Sequence, residues 1–416
     1  MKKTKWKALF MTLCLLLSCL LCACTPTDEP VQPSRTPDGL TVVNAKLMKG
    51  DEAFYGAGVN FFSMFTSIFS RKWDTSTSLH ALEVLKEYDC KVIRFSTLPF
   101  YAEQMGYYFE VEQIYWEKLD ELVAKAEELE LGLLPSLFWT FGIFDYYHEP
   151  YEEALLDENS QSMKFIREYT EKFVTRYRES PAIYGWEFSN EKVLSSDLPG
   201  DVGKDEHYTL TGLNNVYRVF AETVRKFDPY GRMISTGDTN PRESQYNQWK
   251  FNSWTRDTRE QHEEVMRTIN PAGIDTVSQH QYSLRTTLTP GDKTSTFFDT
   301  TTWKSFFEYL IEISSSMGKA CYVGEVGYGV DAALGYENVT LEAVTECYQA
   351  AADAAFETGM QLILFWNYDP LTTPTSEGLI FSRGTGVEFS YNENMPLGQM
   401  VLETMKALNR RFEETK

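Results

Sequence analysis

Two glutamates, Glu191 and Glu325, each fall within a short apolar run: Tyr184-Gly185-Trp186-Glu187-Phe188-Ser189-Asn190-Glu191 and Cys321-Tyr322-Val323-Gly324-Glu325-Val326-Gly327-Tyr328-Gly329. They stand 134 positions apart, so a fold has to bring them together. A facing pair of carboxyl groups can cleave an acetal, one protonating the departing oxygen and the other meeting the developing oxocarbenium ion. Two acids at the C-terminal ends of two strands, on one rim of one barrel, would form such a pair.

The remaining chain reads as that barrel. Apolar or β-branched runs fall at 54–60, 91–96, 131–138, 183–188, 232–237, 275–281, 320–325 and 361–367. Helical patterns separate and follow them at about 78–88, 115–129, 159–178, 209–227, 257–268, 300–317, 341–358 and 396–413. The fifth is the weakest, because 240–262 is polar and aromatic and reads largely as loop. Strict alternation of strand and helix predicts a parallel sheet, here a (β/α)8 TIM barrel in one domain over residues 40–416. Connections after strands are long and returns from helix to strand are short. The elaborated face is therefore the one at the strand C-termini, where such barrels keep their active sites.

The N-terminus is expected to lie outside this fold. Lys2, Lys3, Lys5 and Lys7 precede an apolar stretch from Ala8 to Leu21 and then Leu21-Cys22-Ala23-Cys24. This reads as a secretory signal over 1–23, too short and wrongly flanked for a membrane span. Its ending resembles a bacterial lipobox, with Cys24 as the lipid-bearing residue. Cleavage at Cys19 and simple secretion are the weaker readings. Residues 24–39 hold four prolines and no apolar periodicity, the composition of an extended tether. The expectation is a barrel lipid-anchored on the extracytoplasmic side of a bacterial membrane.

The whole chain carries a formal charge of −21, and loss of the four signal lysines moves it to −25. Such a surface argues against nucleic acid or anionic lipid as partner and suits a neutral polymer. Of seven cysteines only Cys90, Cys321 and Cys347 fall in the barrel. That odd number implies no disulfide framework, although a Cys321–Cys347 bridge stays open. No glycine-rich phosphate loop occurs, no cofactor is called for, and a monomer is expected.

With the strands placed, their polar ends form an ordered set. Strand 2 ends Val92-Ile93-Arg94-Phe95-Ser96 and strand 4 ends Asn190-Glu191. Strand 6 ends Gln279-His280-Gln281-Tyr282, strand 7 reaches Glu325, and strand 8 runs Leu362-Ile363-Leu364-Phe365-Trp366-Asn367. This order resembles the clan A glycoside hydrolases, most of all the family 5 cellulases and mannanases. The resemblance implies Glu191 as general acid/base and Glu325 as nucleophile of a retaining hydrolase of β-linked glycans, of the β-1,4-glucan or β-mannan type. It implies Asn190 at the sugar 2-hydroxyl, Arg94 beneath the carboxylates keeping Glu325 ionised, and Tyr282 donating to Glu325. It further implies His280 near the acid/base and Trp366 as the stacking floor. Glu187 reads as an interior partner of Arg94.

Three departures touch the walls of the site: Val326 in place of an aromatic, Trp139 ending strand 3 without the usual histidine, and Lys192 in place of proline. Trp139, Phe62, Trp254 and Tyr368 read as sugar platforms or as caps on the barrel core. Asp238 reads as a sugar contact or a helix cap. A metal-dependent hydrolase would need clustered ligands such as His-x-His on strand 1, but that strand reads Gly56-Ala57-Gly58-Val59-Asn60. The five histidines are scattered, and only His280 falls on a strand. The alternative from another class is a catalytically silent, lipid-anchored glycan-binding barrel.

Overall fold

A computed structural model describes residues 39–198, 206–282, 300, 302–329, 340–372 and 390–415. The signal, the lipid-anchor cysteine and nearly all of the tether lie outside the described residues. Eight parallel strands close into a barrel: β1 Gly56–Asn60, β2 Val92–Ser96, β3 Gly132–Phe138, β4 Gly185–Ser189, β5 Met233–Ser235, β6 Thr276–Tyr282, β7 Ala320–Gly327 and β8 Leu362–Phe365. Each pairs with its sequence neighbour, and β8 pairs with β1 through Leu362–Gly56 to Phe365–Val59.

The principal helices follow in turn: α1 Ser76–Glu87, α2 Glu112–Glu128, α3 Gln161–Tyr177, α4 Leu210–Phe227, α5 Arg259–Ile269, α6 Trp303–Ser316, α7 Leu341–Thr358 and α8 Pro396–Glu414. Their apolar faces pack on the barrel's outer side. In α4, Leu213, Val216, Tyr217, Phe220 and Val224 repeat at helical spacing and are buried. The N-caps are as chemistry requires: Ser160, Thr209, Thr258, Thr302 and Thr340 each accept from a backbone N–H of the first turn.

A second, smaller core fills the barrel's lower interior. Val92, Leu134, Met233, Tyr322, Leu362 and Leu364 meet Leu40, Leu47 and Phe54 there. Leu40 and Leu47 come from a three-stranded antiparallel sheet over residues 40–53, with Phe54 directly after it, a sheet that the sequence pattern did not separate from the tether boundary. Leu40 N–H donates to the Tyr184 carbonyl, and the buried Gln361 amide bonds the backbone of Leu47 and Phe54. The barrel is thus stoppered at the end opposite the catalytic-type rim.

Elsewhere the structure adds elements within the loops. The stretch after β3 carries helices Gly142–Tyr147 and Tyr151–Leu156, and the polar region after β5 carries helix Gln245–Phe251 before α5. Cys90, Cys321 and Cys347 are all buried thiols, so the open Cys321–Cys347 pairing is not made. Burial pushes the Cys90 and Cys321 thiols up to about 12, as expected of small apolar filling.

Candidate active site

Arg94, wholly buried on β2, is the hub of the rim. Its Nε donates to both Glu187 oxygens at 2.8 and 3.0 Å, and its Nη1 donates to Asn60 Oδ1 at 3.0 Å and Glu325 Oε1 at 2.9 Å. Its Nη2 donates to Asn190 Oδ1 at 2.9 Å. One guanidinium thereby ties β1, β2, β4 and β7 together, a use that its planar five-donor geometry suits. Below it, the Tyr322 hydroxyl donates to Glu187 Oε2 at 2.6 Å and lies 2.9 Å from Ser235 Oγ. Above it, the guanidinium carbon sits 4.5 Å from the Trp139 ring centroid, a cation–π contact.

Glu191 and Glu325 come together over this hub. His280 Nδ1 lies 2.8 Å from Glu191 Oε1 and 3.4 Å from Glu325 Oε1, and one oxygen of each carboxylate lies within 4.8 Å of the other. Tyr282 donates its hydroxyl to Glu325 Oε2 in a very short hydrogen bond. The Glu325 side chain is 3% exposed and that of Glu191 29%, so one acid is enclosed and the other opens toward solvent.

Backbone geometry aims both acids. Between Val323 and Glu325 the β7 register against β6 slips by one residue, leaving Gly324 as the extra residue of a bulge. Such a bulge re-aims the following side chain. Asn60 Nδ2 donates to the Gly324 carbonyl at 2.8 Å and holds it there. Glu191 has left-handed backbone, φ 54°, at the turn from β4 into a 3-10 segment, and its N–H donates to the Gly237 carbonyl. Gly237 is itself at φ 71°, and a Cβ there would stand 1.9 Å from the Ser189 carbonyl oxygen. Only glycine fits that close approach.

Phe62, Trp139 and Trp366 line the site as a continuous aromatic wall. Phe62 and Trp366 stack at 5.6 Å with 7° between planes, and Trp139 lies 5.9 and 6.4 Å from them. Trp254 is 63% exposed and makes no ring contact with this group, while Tyr368 is fully buried with its hydroxyl donating to Glu393. Tyr368 is therefore a core cap and not a platform. Lys192 stretches over the Phe141 ring at 4.8 Å, and burial lowers its ammonium to about 8.

No family model matches the chain. The mannan endo-1,4-β-mannosidase F of Aspergillus fumigatus is 30% identical over 127 residues, 29% of this chain and 26% of that protein. The match thus spans about a quarter of that relative's length. The endo-β-1,4-mannanase of Thermotoga petrophila superposes with a TM-score of 0.58 at 17% identity, over 86% of this chain and 78% of that one. The family 5 mannosidase of Rhizomucor miehei gives 0.60 at 13% identity, over 91% and 99%. The fold is the (β/α)8 barrel that these glycoside hydrolases share. At these identities the structural likeness is one of fold, and the rim residues stand on their own geometry.

Within this barrel the two carboxyl groups are shifted in opposite directions. Arg94 touches Glu325, yet burial, with the Glu191 charge adding to it, outweighs Arg94, His280 and Tyr282 and leaves the Glu325 carboxyl above the usual carboxylate range. For Glu191, burial also pushes upward, but the hydrogen bond from His280, with the Arg94 and Lys192 charges, holds it below that range.

Asp238, left open between a sugar contact and a cap on the next helix, instead binds back to the turn after β4. It is 1% exposed, and its oxygens accept from Val193 N–H at 2.8 Å and the Tyr217 hydroxyl at 2.5 Å. It thereby pins the segment that follows Glu191. Burial raises it from 3.8 to about 6. A carboxyl raised on folding stabilises the protonated native state below its unfolded value, and that contribution is lost as pH climbs through the folded value. Asp238→Asn should therefore gain stability relative to wild type as pH goes from about 4 to about 6. Melting curves across that window check this, and a constant difference contradicts it.

Proposed function

We propose that this protein is a retaining β-glycanase of the mannanase type, cleaving β-1,4-linked mannan or a closely related β-1,4-glucan by double displacement. The observation that carries the proposal is the Glu191–Glu325 pair, with carboxylate oxygens within 4.8 Å over a shared cation. That spacing suits the retaining class, where the carboxyl groups sit about 5–5.5 Å apart, better than the inverting range of about 6.5–9.5 Å. The mannan-acting enzymes of the same fold, and the partial relative that acts on mannan, support the substrate class.

In this reading Glu191 protonates the departing glycosidic oxygen while Glu325 attacks the anomeric carbon, forming a glycosyl ester. Water, deprotonated by Glu191, then releases the sugar. Protonating Glu191 removes its repulsion from Glu325, one of the two influences that raise the nucleophile, and leaves Arg94 and Tyr282 to stabilise the Glu325 anion. The acid role requires the proton on Glu191 in the first step. Asn190 is positioned by Arg94 through its oxygen, which leaves its amide N–H groups for a sugar hydroxyl. Phe62, Trp139 and Trp366 supply apolar faces for stacking, with Trp366 as the floor of the subsite.

Residues 40–416 assayed on mannan, glucomannan, cellulose, mixed-linkage glucan and xyloglucan should release reducing ends fastest from a mannan backbone. Binding without release on every polymer would overturn the reading in favour of a silent glycan-binding barrel.

We further propose that the chain is cut before Cys24 and lipidated there, so that the Pro-rich tether holds the barrel off an extracytoplasmic membrane face. Intact-mass measurement of the full chain expressed in a bacterium should give a diacylglyceryl cysteine at residue 24. Cys24→Ala should abolish that mass and the partition into detergent, while an unmodified N-terminus further along would refute the anchor.

A further inference from the structure

We propose that Ser278 is a positioning residue for this same reaction: its hydroxyl donates to His280 Nε2, directly or through one water, and fixes the ring with its proton on Nδ1. The inference rests on the glycosidase reading for its consequences, although its structural half does not.

Strand β6 alternates, so Thr276, Ser278, His280 and Tyr282 share one face. Ser278 is 1% exposed and the His280 side chain fully enclosed. Two buried polar atoms on that face, Ser278 Oγ and His280 Nε2, have no hydrogen-bond partner among the described residues. Leaving both unpaired is costly, about 1–3 kcal/mol for each such group. Gly324 brings them to a common place. A Cβ on Gly324 would stand 2.7 Å from Ser278 Oγ and 2.8 Å from His280 Nε2, so the two atoms are no farther apart than twice that distance. A change of the Ser278 χ1 rotamer or a single bridging water spans such a gap. The bulge that aims Glu325 therefore also leaves room for the serine to reach the ring.

The other nitrogen dictates the tautomer. Nδ1 faces Glu191 Oε1 at 2.8 Å and Glu325 Oε1 at 3.4 Å, and an ionised carboxylate only accepts. Nδ1 must therefore carry hydrogen, and a neutral ring then presents a lone pair at Nε2 that needs a donor. Charged groups that act on the ring include Glu191 after β4, Asp238 after β5 and Glu325 on β7. None of these is hydrogen-bonded to Nε2. Ser278 is the hydroxyl placed to fill that role. With the proton held on Nδ1, the ring supports ionised Glu191, the form that must activate water in the second step. Without Ser278 the neutral ring can move its proton to Nε2. Its Nδ1 lone pair would then oppose both carboxylates unless Glu191 stays protonated.

The experiment is 15N-histidine NMR on the intact barrel, with the His280 signal assigned by its loss in His280→Gln, alongside pH–rate profiles. Wild type should show a neutral ring protonated at Nδ1 throughout the active pH range. Ser278→Ala should populate the Nε2–H form, lower kcat roughly tenfold with KM changed less than about twofold, and shift the basic limb upward by about one pH unit. Ser278→Thr, which keeps the hydroxyl, should restore the wild-type tautomer and profile. An Nε2–H or doubly protonated ring in wild type would overturn the inference, and that spectrum needs no turnover to be read. An unchanged ring spectrum and pH profile in folded Ser278→Ala would overturn it equally.

Discussion

Glu325→Ala should be nearly dead on every β-glycoside, and Glu191→Ala should be dead only where the leaving group is poor. One carboxyl bonds to the sugar and the other moves protons, so their losses differ in kind. Removing Glu325 abolishes the covalent route, and turnover should fall on the order of 10⁶-fold, the scale seen when a covalent nucleophile is deleted. Added azide should restore part of it as an external nucleophile, giving inverted product. Removing Glu191 should cost roughly 10²–10⁴-fold on polysaccharide, the usual worth of general acid–base catalysis. An activated aryl glycoside needs little protonation to depart, so its glycosyl-enzyme should form and then accumulate. Steady-state and burst kinetics on polymer and aryl substrate give the answer. Equal leaving-group dependence in the two variants would contradict the assigned roles.

Arg94→Met should damage the fold as well as the chemistry. It strands two buried carboxylates, Glu187 at 0% and Glu325 at 3% side-chain exposure, and takes away the Asn60 and Asn190 contacts. Breaking a buried ion pair from one side costs about 3–5 kcal/mol, because a charge is left without compensation. A second change, Glu187→Gln, removes one of those charges and should recover part of the stability. Activity should not return with it, since Glu325 still lacks its cation. Chemical denaturation and turnover of the wild type, both single variants and the double variant separate the two effects. Recovery of both together would mean that Arg94 acts on catalysis only through folding.

Much of this rim was legible in the linear chain because strand ends are marked by where apolar runs stop. Arg94, Asn190, Glu191, His280, Tyr282 and Glu325 each stand at such a stop, and the structure brings all six together. Asn60 ends its strand in the same way, and the same rule points to it. Tyr322 gave no comparable signal. Inside Cys321-Tyr322-Val323 it reads as core, and its polar end matters only once β7 faces Glu187 across the barrel. The bulge at Gly324 and the left-handed turn at Glu191 are properties of pairing and backbone, which residue type alone does not reveal. The direction of the Glu325 shift was hidden for a related reason. Sequence showed that a cation would lie near Glu325, but the burial that outweighs it exists only in the folded barrel.

The central claim is a covalent intermediate on Glu325 with Glu191 as acid and then base, and the anomeric configuration of the first product tests it most directly. Proton NMR during the first minutes of hydrolysis of a β-mannan oligosaccharide, before mutarotation, should show the newly formed reducing end as β. An α product at first appearance would mean a single displacement by water, and the two-glutamate retaining account would be wrong.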